Sequence, residues 1–238
     1  MRKFLAALVL RNGDIVCDPT LTDSHQELIE HAGIDRSECA CIRFTPQRLG
    51  DYTNPDGYAL RVDGSSIPAW FDAQMQARTA NALRDRVRSM IINDRRPLTT
   101  GGCWIVGPGG DAGDVVGGRI VYVAPGGRVG DVRDRGYVGH VRGTVGDVCH
   151  GGVVRSVRLG GQVGNVHSGG RVGDVWVGGM VGVVWGRVGD VWGFVGNVMA
   201  GGVVGDVAGT VGNVHSGGTV GNVLPGGRIG SDQRHGSA

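Results

Sequence analysis

Lysine is almost missing from this chain: Lys3 stands alone against 23 arginines in 238 residues. With abundant Gly, Val, Ala and Asp, that skew reads as codon usage in a GC-rich genome. Aromatic residues make up only 5%, which excludes a core of bulky side chains along the whole length. No stretch approaches the ~18 apolar residues of a membrane span. An excess of either charge is also lacking. There are 13 basic and 13 acidic residues up to Thr100, and 11 and 9 after it. Neither half has the basic groove of a nucleic-acid binder or the acidic surface of a nucleic-acid mimic. Cys17, Cys39, Cys41, Cys103 and Cys149 are odd in number and irregularly spaced, a poor disulfide framework. They point to a reducing, cytoplasmic setting, or to a virion if the chain is phage-encoded. Membrane and nucleic acid are therefore not expected as partners.

The first ten residues, "MRKFLAALVL", imitate a secretory signal, but "RNGD" follows where a small-residue cleavage site belongs. The run is expected to be a β-strand. Asn12-Gly13 predicts a two-residue hairpin turn into "IVC". Ser24 and Glu27 have capping-box spacing, so a helix should start there and stop at Gly33. "CACIRFT" and "YALRV" alternate as strands, with Ala40, Ile42 and Phe44 sharing one face. A long helix is expected from about Pro68. Its apolar stripe is Phe71, Met75, Leu83, Val87, Met90 and Ile91, interrupted by Thr79. The order predicts a small α+β domain over residues 1–93. A linker should follow over 94–102, then a repeat domain over 103–230 and a flexible tail over 231–238. Asp23, Ser24 and His25 superficially list a triad, yet adjacent residues in a turn cannot form its chain of hydrogen bonds. Cys39 and Cys41 lack the spacing of a metal site and read as small apolar side chains in a sheet.

Glycine is what the sequence has in plenty, 47 residues, most of them after position 100. From Arg119 to Gly227 the chain divides without remainder into thirteen units of nine or seven residues, such as "RVGDVWVGG" (171–179) and "RVGDVWG" (187–193). Position two is always Val or Ile and position five always Val. Position three is Gly except at Val121 and Arg155. Position four is mostly Asp or Asn, while positions one and six vary. Two fixed apolar positions face a core, and the variable ones face solvent. Val at both favours strands, where its branched side chain packs on a pleated surface. A spacing of three does not fit a flat strand, so the chain must bend between the valines. Gly with Asp or Asn supplies that bend, the side chain bonding locally.

One unit is too short to encircle a core. Two units make a flattened coil of fourteen to eighteen residues, with valine stacks inside. So much glycine excludes a helix, and collagen needs Gly at every third position with abundant proline. The fold expected is a mostly β chain: a parallel β-solenoid of seven- and nine-residue Gly-Val repeats after a small α+β domain. Irregular alternation of unit lengths implies extra residues on more than one edge. "CWIVGPGG" and "DAGDVVGG" look like degenerate lead-in units, and about six coils should follow.

"GGRVGDVWV" (169–177) resembles the calcium-binding nonapeptide β-roll, with Gly169, Gly170 and Asp174 in register. Val172 replaces that motif's inner glycine, and Asn165, Asn197, Asn213 and Asn222 remove charge that calcium uses. The seven-residue form is similar to the half-coils of plant ice-binding β-rolls and to trimeric bacterial adhesin heads. Thr144, Thr210 and Thr219 do not make the regular threonine ladder of an ice-binding face. The whole chain resembles bacterial and prophage proteins that join a short α+β domain to Gly-Val repeats. That resemblance implies a β-solenoid scaffold and no particular reaction.

A non-enzymatic structural or protein-interaction role follows, without cofactor, catalytic residue or metal. Trp176, Trp185 and Trp192 hold position six in successive units and are the candidate partner-binding residues, with Met180, Phe194 and Met199 nearby. The partner is another protein or a second copy, as a trimer or as stacked rods. Two alternatives are a calcium-binding β-roll and a polysaccharide-acting β-helix enzyme. The enzyme would draw on Asp131, Asp147, Asp174, Asp190 and Asp206. Their interchange with Asn points instead to a structural role.

Overall fold

The structure, a computed structural model, describes residues 5–18, 24–48, 50–64, 67–96 and 98–234. Asp23 of the superficial triad lies outside them. The chain divides into two compact units, Met1–Ile91 and Ile92–Ala238.

The first unit follows the expected order. Strands β1 (Leu5–Leu10), β2 (Ile15–Val16), β3 (Cys39–Pro46) and β4 (Tyr58–Val62) form an antiparallel sheet in the order β2-β1-β3-β4. The β1–β2 hairpin is looser than the Asn12-Gly13 signal predicts. Val9 pairs with Ile15, and the Leu10 N–H bonds to the Asp14 carbonyl, leaving a three-residue loop. Only Gly13 has positive φ, so the turn type that needs two such residues does not form.

Helix α1 (His25–Ala32) begins at Ser24, whose hydroxyl accepts the Glu27 N–H, and ends at Gly33 in the left-handed region. Helix α2 (Ala73–Met90) starts later than Pro68 suggests. Pro68 instead closes a turn by accepting the Phe71 N–H, and Asp72 caps the helix through the Met75 N–H. Thr79 is 1% exposed, so it joins the buried stripe of α2 rather than interrupting it. Cys39 and Cys41 pack with Ala6, Leu8, Leu28 and Ile29, as small apolar side chains do. Burial, and then the neighbouring Cys41, pushes the Cys39 thiol up to about 11, so it stays protonated and unreactive.

The second unit is a parallel β-solenoid of about nine turns. Each repeat unit pairs with the unit two places on. Thus Arg119–Val123 lies beside Tyr137–Val141, which lies beside Val153–Val157. In the facing sheet Thr144 pairs with Gln162, and Gln162 with Met180. Two units therefore make one coil. Numbering units from Arg119, odd units build one sheet and even units the other.

Four apolar columns fill the interior. Position two of the odd units runs from Ile120 to Val220, all buried, and position five from Val123 through Val207. The even units supply Val129 to Val211 and Val132 to Val214. Burying one such side chain contributes roughly 1.5–3 kcal/mol. Columns of one residue type stack without mismatch, so each coil is a template for the next.

Residues 94–102, expected as a linker, are in part coil. Leu98–Thr100 pairs with Asp114–Val116, and Arg95 bridges Asp111. Both lead-in segments extend the solenoid: Cys103–Val106 pairs with Arg119–Val123, and Asp114–Val116 with Val132–Arg133. At the far end Arg228–Asp232 pairs with Thr210–Val214, so Ser231 and Asp232, expected in a flexible tail, belong to a strand. Residues 235–238 lie outside the described ones. The count of coils exceeds the expected six because these degenerate stretches keep the strand pairing after losing the repeat spelling.

The corners explain the unit lengths. A nine-residue unit ends in a four-residue turn closed by its last N–H, as Gly202 bonds to the Met199 carbonyl. The turn's third residue has positive φ, and it is glycine in eight of the nine long units, for example Gly201 at φ 80. The ninth has Arg135 there, at φ 70, preceded by Asp134 at φ 50. Arg135→Gly is expected to raise unfolding free energy by about 0.5–1 kcal/mol, relief of left-handed strain less the added entropy of the unfolded chain. Urea unfolding of the two proteins side by side measures it; a destabilised glycine variant would contradict the strain.

Candidate functional site

Because coils contain two units, position six alternates between two edges of the solenoid. Odd units place Arg142, Arg158, Trp176, Trp192, Ala208 and Leu224 in succession along one edge. Even units place Cys149, His167, Trp185 and Met199 along the other. Trp176 and Trp192 stack on each other, ring centroids 4.9 Å apart and 15° from parallel. Arg158 covers the other side of Trp176 at 5.4 Å. Trp185 stands apart on the opposite edge, stacked on His167 at 5.5 Å. The three tryptophans are one cluster in sequence and two places in the fold.

The Trp176–Trp192 edge carries more apolar surface than the tryptophans alone. Met180 pairs in register with Phe194, and both follow this corner directly. Leu159 and Val177 occupy position seven of their units at the same corner. Trp176, Leu159, Val177, Met180 and Phe194 are between 39% and 68% exposed. Scattered exposed apolar residues are ordinary, whereas these five gather at one corner over neighbouring coils. Leu159 and Val177 escape a reading along the chain. The signal that would have found them is the two-unit coil, which makes residues 16 or 18 apart neighbours.

The recurring acids have a different use. Position four was expected to bond locally within the bend; in the structure its side chain reaches the following coil. Asp131 N–H donates to Asp114 Oδ1 at 3.0 Å, Asp147 N–H to Asp131 at 2.9 Å, and Asn165 N–H to Asp147 at 2.8 Å. In the other sheet Asp206 N–H donates to Asp190 and Asn222 N–H to Asp206. The reason is geometric: the bend turns this N–H away from the sheet, where the carboxylate of the coil before can meet it. An amide oxygen serves as well, which explains the Asp/Asn interchange. Burial opposes ionisation of Asp147, but hydrogen bonds from His167 and Asn165 outweigh it and hold the carboxyl below its usual value.

One stretch departs from this ladder. Position four is Tyr122, His140 and Ser156 in three successive odd units. His140 Nδ1 lies 2.7 Å from Ser156 Oγ. Burial, then Arg158 and Arg155, lowers the imidazole to about 4, so it is neutral near pH 7. A neutral histidine on a serine has the composition of a nucleophilic pair. Ser156, however, is 4% exposed, so its hydroxyl is closed to a substrate. The pair substitutes for the ladder by joining two coils.

In the first unit His25 uses both ring nitrogens. Nε2 lies 2.7 Å from the Ile42 carbonyl, and Nδ1 lies 3.4 Å from Asp63, which also pairs with Arg43. The ring ties α1 to the sheet, and Ser24 is spent on the helix cap. Among the described residues, no group of three or more His, Cys, Asp or Glu is arranged to hold a metal ion. No protein-family model matches this chain, and no curated protein matches its sequence.

Proposed function

We propose that this protein is a non-enzymatic structural scaffold that associates with other protein, including itself, through an edge of its solenoid. One observation carries the reading. Most of the repeated carboxylates, Asp114, Asp131, Asp147, Asp190 and Asp206, are engaged in bonds between coils, while the variable positions gather an exposed aromatic patch around Trp176 and Trp192. A catalytic carboxylate must present a lone pair to substrate, whereas these accept backbone N–H groups. Large, rigid, amphipathic rings at an exposed edge suit partner binding at little entropic cost. A polysaccharide-acting enzyme or a calcium-binding roll gains no comparable support.

The test is the double variant Trp176→Ser/Trp192→Ser beside Trp185→Ser, all in the full chain. Position six is variable, so far-ultraviolet circular dichroism and urea midpoints should stay close to the parent in both. The double variant should lose association in sedimentation and in capture from host extract, and Trp185→Ser should keep it. Association that survives in the double variant would count against the patch.

A further inference from the structure

We infer that the partner seated on this edge is a second copy of the chain, lying antiparallel across a two-fold axis between Trp176 and Trp192. The inference rests on the scaffold reading and adds its occupant and orientation. Charge is the argument. Along this edge position six is arginine in two successive coils, Arg142 and Arg158, with Arg155 beside the second. In the next three coils the position-four residues leading to the same edge are Asp174, Asp190 and Asp206. Basic side chains therefore precede the aromatic pair, while acidic ones share its two coils and the coil after it. None of these six charged side chains forms an ion pair with another described residue of its own chain.

A two-fold axis is the operation under which such a surface meets itself. It requires one patch to be its own complement. Rotation about the midpoint between the tryptophan coils lays the aromatic pair of one copy on that of the other. It also sets Arg158 opposite Asp206, because each lies one coil beyond the pair. A parallel side-by-side arrangement would set every like charge on its twin, arginine on arginine included, which is destabilising; the two-fold leaves only Asp174 facing Asp190 and pairs Arg158 with Asp206 twice. Ala208 holds position six in the coil after Trp192, leaving a notch beside the bulky rings where the opposing Arg158 can lie.

Sedimentation equilibrium of the full chain and its charge variants tests this. The parent should be dimeric, and added salt should weaken the dimer. Arg158→Glu sets glutamate against Asp206, and Asp206→Arg sets arginine against Arg158. Each alone should weaken the dimer by at least about tenfold. Mixed in equal amounts they should form a heterodimer close to parental strength, since each altered charge then meets its complement. Asp206→Asn, which keeps the acceptor for Asn222, should melt like the parent and lose affinity more mildly; it guards against misfolding of the arginine variant. A parental dimer in Arg158→Glu, or a mixture no stronger than either variant, overturns the antiparallel register. A monomeric parent overturns the second copy as occupant, and the scaffold reading is then decided by the tryptophan variants in capture alone.

Discussion

Gly202→Ala should lower the unfolding free energy of the solenoid by about 3 kcal/mol, while Gly201→Ala, one residue earlier, should cost only about 1 kcal/mol. The chemical change is one methyl group in each case; the mechanisms differ. At Gly202 a Cβ would sit 2.2 Å from the Val184 carbonyl oxygen of the adjacent coil. That neighbour is backbone, so relief requires two coils to part, which weakens the hydrogen bonds along the corner. At Gly201 a Cβ meets nothing within 4 Å, and the penalty is the left-handed φ of 80 alone. Urea unfolding of both variants reads the difference. Equal losses would mean that close coil contact does not limit the corner.

Removing a ladder acceptor should have the next largest effect. Asp147→Ala is expected to cost about 2 kcal/mol, because the Asn165 N–H then loses its acceptor in a half-buried site. Asp147→Asn should cost well under half as much, since an amide oxygen can take the same bond, as Asn165 does for the Val183 N–H at 3.2 Å. Equal losses would show that the charge, not the ladder, matters. The pH dependence has a definite sign. A carboxyl held below its usual 3.8 in the folded state stabilises the fold above that value. The contribution is lost as pH falls from there through the lower folded value. The gap between parent and Asp147→Asn should therefore be constant near neutrality and close as pH drops below about 3.8. Urea midpoints taken across acidic pH follow it.

How far the sequence reads depends on whether a residue's role is local. Position two and position five never lapse, and that alone gave the valine columns, the bend and the two-unit coil. Ser24 and Gly33 spelled the ends of α1 because a cap is a bond within a few residues. Asp72 was missed as the cap of α2 since Pro68 offered a competing start four residues earlier. The position-four acids were read as turn-formers because their bonds go to a residue 16 to 18 places away. The site suffered most from distance. Trp185 sits between Trp176 and Trp192 along the chain, yet alternate units face opposite edges. Leu159 and Val177 join the patch by stacking alone. The coil at residues 94–100 was hidden because strand pairing there survives without the Gly-Val spelling.

The claim that each coil holds two repeat units is tested most directly by paired nitroxide labels on position-one residues, with Cys17 and Cys149 replaced by serine. Thr144 and Gln162 are register neighbours on one sheet, at a strand spacing of ~4.8 Å. Thr144 and Val153 begin consecutive units on opposite sheets ~10 Å apart, with their labels pointing away from each other. Strong dipolar broadening for Thr144 with Gln162, and none for Thr144 with Val153, is the expected result. Broadening for the second pair, or for neither, would contradict the coil.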